Sequence, residues 1–134
     1  RYAMPEDQRE TAYAQLGHAA EALVADYPQR PEPLIWEGII LSTYAGAKGG
    51  LDALGLVKAA REALETALRL DDHALDGSAH TSLGSLYYQV PGWPLSFGDD
   101  DLAREHLLAA LAINPDGIDP NYFYADFLIR DGKE

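Results

Sequence analysis

Two glycines, Gly38 and Gly84, each interrupt an apolar run at helical spacing, and they constrain this chain more than any other feature. In 32–45, EPLIWEGIILSTYA, and in 77–89, GSAHTSLGSLYYQ, the glycine shares a stripe with large residues, as Gly84 does with Leu83 and Tyr87. Ala125 takes the same place in 118–131, IDPNYFYADFLIRD. A small residue in mid-helix lets a second helix approach closely. Ala/Leu stripes follow the two glycines: Ala60, Leu64 and Ala67-Leu68, then Ala103, Leu107 and Ala110-Leu111. Both stripes fit a 3.6-residue period. The expectation is an all-α fold, an antiparallel helix-hairpin solenoid of about six helices.

The organisation follows from these runs. Residues 6–26 carry Leu16, Ala19, Ala20, Leu23 and Val24 at helical spacing and read as a leading helix or cap, closed by Tyr27-Pro28. A first unit spans 32–72, a second 77–115, and the first helix of a third 118–134, all within one domain of 1–134. The third unit stops where its second helix would begin. The expectation there is a truncated repeat array, or a second copy of the chain covering the helix that bears Tyr124, Phe127 and Leu128. A start at Arg1 without methionine implies a removed segment.

The helix pairs, with Asn114-Pro115 closing the second one, resemble tetratricopeptide repeats, helix–turn–helix units of about 34 residues. The PGWP–SFGD insertion and the NPDGIDPNYFYADFL run are similar to bacterial tetratricopeptide proteins that accompany periplasmic transporters, the T-component of TRAP systems. The chain departs from the repeat in two places. About ten extra residues separate Gly38 from Ala60 and about seven separate Gly84 from Ala103, relative to the family's unit. Both insertions fall in the turn inside a unit. The first, AGAKGGLDALGLV, is Gly-rich and then apolar enough to lengthen the second helix. The other, VPGWPLSFGDD, sets Pro91 and Pro94 around Trp93, with Phe97 nearby.

What the resemblance implies is a non-enzymatic scaffold, with a concave groove of first helices that binds a protein or peptide. Counting from the small residue, the groove face holds Ile35, Ile39, Ser42 and Thr43; then Thr81, Ser85, Tyr88 and Gln89; then Tyr122, Asp126, Ile129 and Arg130. Ile39, Thr81, Ser85, Tyr88, Gln89, Tyr122, Asp126 and Arg130 are the partner-binding candidates, with Trp93 folding back from its loop. Leu83, Tyr87, Tyr124 and Leu128, on the opposite stripe, belong in the core. Family members that clamp a C-terminal carboxylate use Lys, Asn and Arg, whereas Ile35, Ile39, Thr81, Ser85 and Gln89 stand here. The clamp is absent. The surface suits an extended peptide or a small ligand. Two alternatives stay open: a ligand-binding accessory of a bacterial transport system, with an aromatic pocket near Tyr88, Trp93 and Tyr122, and a metal-dependent enzyme, which would need acids or histidines converging in a cleft where the sequence scatters them at helix ends. Trp93 and Phe97 plugging the end of the hairpin is the structural alternative to contact.

Composition narrows the partners. The net charge of −12, with only ten Lys and Arg, argues against nucleic acid, which needs a basic surface. No run approaches the roughly 18–20 apolar residues of a membrane span. The absence of cysteine excludes disulfides and thiolate metal sites and leaves the compartment, periplasmic or cytoplasmic, unread. No cofactor, catalytic residue or metal ligand is nominated. His73 with Asp71, Asp72 and Asp76, and Asp99–Asp101 with His106, lack metal-motif spacing and lie at helix ends, where acids cap. His80 and His106 face apolar stripes and read as packed side chains.

Overall fold

The computed structural model describes residues 6–132, and among them every regular element is helical. Six α-helices follow one another: α1 (Glu6–Asp26), α2 (Pro31–Lys48), α3 (Asp52–Leu70), α4 (Ser78–Gln89), α5 (Asp100–Ile113) and α6 (Ile118–Asp131). The all-α expectation holds. Lys133 and Glu134, the last residues assigned to the third unit, lie outside the described residues, as do 1–5.

Local chemistry sets the helix ends. Pro31 opens α2, where its missing N–H and fixed φ cost nothing. Val90 precedes Pro91 and is extended (φ −85°, ψ 142°), so α4 ends at Gln89. Asp99 caps α5, its carboxylate accepting from the N–H of Asp101 at 2.9 Å and of Leu102 at 3.1 Å. Between α3 and α4 the chain turns through three left-handed residues, Leu75, Asp76 and Gly77 (φ 50°, 57° and 79°).

Each helix packs on the next, and α4 also touches both α2 and α6. Neighbours run antiparallel. Lys48 at the end of α2 pairs with Glu10 near the start of α1 at 3.0 Å. His80 of α4 meets His106 of α5, while Tyr87 at the other end of α4 accepts from the N–H of Asp99. Consequently α2, α4 and α6 share one direction and lie side by side.

The core runs through these contacts, with Ile35, Leu64, Leu83, Leu107 and Phe127 fully buried. Burying each such side chain stabilises the fold by roughly 1.5–3 kcal/mol. The glycines explain the close approach. A Cβ on Gly38 would run into the Leu64 side chain, and one on Gly84 would lie 2.6 Å from Leu107 Cγ. Leu64 and Leu107 thus fill the notches that the glycines leave. Ala125, the corresponding residue of α6, is exposed.

Two expectations about faces need correction. Ile35 is completely buried and not on the groove, because it belongs to the central core cluster with Leu34, Leu64 and Leu83. Leu128 is exposed on α6 and not in the core. Phe127, one residue earlier, takes the core position, and Tyr124 stacks on it at 6.4 Å.

Candidate functional site

The side-by-side helices α2, α4 and α6 enclose a cleft of about 270 Å³. α2 contributes Ile39, Ser42 and Thr43; α4 contributes Ser78, Thr81, Ser82 and Ser85; α6 contributes Asp119 and Phe123. The lining is dominated by hydroxyls. Four of them donate back to their own helix or turn: Ser42 to Gly38 O at 2.7 Å, Thr43 to Ile39 O at 2.9 Å, Ser78 to Leu75 O at 2.7 Å and Thr81 to Gly77 O at 3.5 Å. Their protons are spent inside the chain, so these oxygens present acceptor lone pairs to the cleft. Among the described residues no cationic side chain lines it, and Asp119 supplies a negative charge.

The residues nominated from sequence divide into four groups. Ile39, Thr81 and Ser85 line the cleft, Thr81 from a buried position. Tyr88, Asp126 and Arg130 form a network of their own between α4 and α6. The Tyr88 hydroxyl donates to Asp126 Oδ2 at 2.6 Å, Arg130 pairs with the same oxygen at 3.2 Å, and its guanidinium lies 5.3 Å from the Tyr88 ring centroid. Burial, with the bond to Asp126 second, pushes the Tyr88 hydroxyl up to about 12. This phenol remains a proton donor at neutral pH and ties two helices together. Gln89 faces a different cavity, described below. Tyr122 and Trp93 stand apart, 62% and 90% exposed.

The aromatic pocket expected near Tyr88, Trp93 and Tyr122 is therefore not formed. Trp93 does not fold back over the cleft, because the loop that carries it is strapped to the helix end. Gly98 N–H donates to Pro91 O at 2.9 Å, Asp99 N–H donates to Tyr87 O at 2.9 Å, and Gly92 bridges Gly98. Phe97 is the anchor of this strap. Its ring stands perpendicular to that of Tyr87 with centroids 5.6 Å apart and lies 4.3 Å from the Arg61 guanidinium. The plug that sequence reasoning shared between Trp93 and Phe97 is Phe97 alone.

A larger cavity, about 550 Å³, lies where the two interhelical turns meet. It takes in the end of α2, the first turns of α3, the end of α4 and the start of the strap, and shares Ser42 and Ser85 with the cleft. Sequence reasoning missed it. The available signal was that both insertions fall in the same kind of turn, which places them at one edge of the helix stack.

The acidic and histidine clusters resolve into local structure. Asp71 accepts from the N–H of His73 at 3.0 Å, and Asp72 pairs with the His73 ring at 2.7 Å, all three exposed. His80 and His106 share a hydrogen bond, Nδ1 to Nδ1 at 3.0 Å, with His106 stacked on Tyr87 at 5.7 Å. Burial pushes both imidazoles below the usual histidine range.

Comparison of the chain with protein-family models, with curated proteins and with solved structures returns no match.

Proposed function

We propose that this chain is a recognition module of the tetratricopeptide type, non-enzymatic, which takes an extended segment of a partner protein in the cleft of α2, α4 and α6. The observation that carries the reading is the alignment of three parallel helices around one hydroxyl-lined cleft. Serine and threonine acceptors suit the backbone N–H groups and uncharged side chains of an extended peptide. Rigid helices hold these groups in place before binding, so little ordering entropy is lost on association. Asp119 and the net charge of −12 favour neutral or basic segments and steer them electrostatically.

The test is selection of 12-residue peptides from a random library against the whole chain, followed by calorimetry on the winners. Thr43 lines the cleft yet is exposed, so Thr43→Arg fills the cleft without touching the core. It should weaken the selected peptides at least tenfold. Peptides with a free C-terminal carboxylate should bind no better than their amidated forms, since no cation among the described residues lines the cleft. Equal binding to Thr43→Arg, or a clear preference for the free carboxylate, overturns the reading.

A further inference from the structure

The cavity between the two turns has a different chemistry from the cleft beside it. Among the described residues no ionisable side chain lines it. Its walls are aliphatic, with Leu54, Val57 and Leu86 at its back and Leu95 at its rim, and its polar side chains are Ser42, Ser85 and Gln89. Its volume of about 550 Å³ falls within the roughly 300–1,000 Å³ of small-molecule sites, well beyond a packing flaw.

Gly46 bears on the width of this cavity. It lies in α2 with a negative φ, and a Cβ added there would meet nothing within 4 Å. Neither backbone conformation nor close packing asks for glycine, in contrast to Gly38 two turns earlier, against which Leu64 sits. Gly17 and Gly55 are open in the same way, but of the three only Gly46 lines this cavity. Glycine within a helix is nonetheless about 1 kcal/mol worse than alanine. Gly46 lines the cavity, and the effect of its missing side chain is to keep that cavity wide.

We propose that this cavity binds one uncharged small molecule of mainly apolar surface that carries a hydrogen-bonding group at one end. An ionised group would lose its hydration there without meeting an opposite charge, and the chain's excess of acids disfavours anions further. Ser42 and Ser85 border both cavity and cleft, so the polar end lies toward the cleft and the apolar body against Leu54 and Val57. The site is distinct from peptide recognition and stands or falls without it.

The experiment titrates the whole chain with Prodan, a neutral fluorophore sensitive to polarity, and competes it with 1-decanol and with decanoate. Binding should saturate at one probe per chain with blue-shifted emission, and decanol should displace the probe at least tenfold more effectively than decanoate. Gly46→Phe should weaken the probe at least tenfold without lowering the melting temperature. Leu95 is 68% exposed, so Leu95→Asp leaves folding intact, and it should weaken the probe at least threefold by charging the rim. Thr43→Arg, in the cleft alone, should leave probe affinity unchanged. If Gly46→Phe does not fold, Leu95→Asp decides. Absence of saturable binding, equal competition by decanoate, or loss on Thr43→Arg with none on Leu95→Asp overturns the proposal.

Discussion

The α2–α3 hairpin and the α4–α5 hairpin both contain more residues than a minimal helix hairpin needs, and they dispose of them in opposite ways. Around the first, the extra residues become helix: α2 runs on to Lys48 and α3 begins at Asp52, and these two helices have 18 and 19 residues against 12 and 14 in α4 and α5. Gly49 and Gly50, both at φ 69°, make the reversal. In the second turn Pro91 and Pro94 lack the N–H that a helix needs, so the chain leaves α4 and closes into a hydrogen-bonded strap. Loop length alone thus says little. The backbone chemistry of the inserted residues decides whether they extend the scaffold or stand out from it.

The comparison is broken most severely at the glycines that both hairpins share. A Cβ on Gly84 would lie 3.3 Å from the backbone oxygen of Ala103 as well as against Leu107, whereas one on Gly38 meets the Leu64 side chain. A side chain moves more readily than a backbone. Gly84→Leu should therefore cost about 3 kcal/mol, the upper part of the usual overpacking range, and Gly38→Leu should cost less. Urea unfolding of both variants measures this, and equal losses would show that the two helix contacts are equivalent.

The next effect separates the two aromatics of the strap. Phe97→Ala removes the contacts with Tyr87 and Arg61 and should cost roughly 2 kcal/mol, short of the roughly 3–5 kcal/mol of a fully buried phenylalanine. Trp93→Ala should cost under about 0.5 kcal/mol, as expected for an exposed side chain. Thermal melts of the pair decide the matter, and a larger loss from Trp93→Ala would reverse their roles.

The smallest effect concerns pH. Where the second hairpin has His80 and His106, the equivalent positions of the first hold Leu34 and Ala63, both buried. Burial disfavours the imidazolium form of both histidines, with Asp72 at 4.0 Å from His80 and Glu65 near His106 opposing it only in part. The unfolded chain then binds protons more readily than the folded one. Stability from this pair is complete above the ordinary histidine value of about 6.5 and is lost as pH falls through and below it. The melting temperature should decline between pH 7.5 and 5.5, and the graft His80→Leu with His106→Ala should flatten that decline. An unchanged slope in the graft would place the sensitivity elsewhere.

Much of the helix packing was legible because it rests on local pattern. Gly38 with Leu64 and Gly84 with Leu107 announce themselves as small and large residues at helical spacing. The site was less legible. Ile35 shares its helical face with groove residues, and only its place in the cluster with Leu64 and Leu83, far along the chain, makes it core. Tyr88 is spaced as a contact residue, but Asp126, 38 positions away, takes its hydroxyl. The apolar cavity draws on residues 42–57 and 85–95, which only the packing of α2 against α4 brings together. Partnerships of that range leave no mark in periodicity.

The bond from Gly98 N–H to Pro91 O has one more consequence. It closes the strap at its base, so the tip formed by Trp93 and Pro94 hangs from a junction that is already made. Doubling the length of such a loop adds only about 0.6 kcal/mol of closure cost. The tip is therefore a cassette, a place where foreign segments can be grafted or natural sequence can drift while the six helices keep their positions.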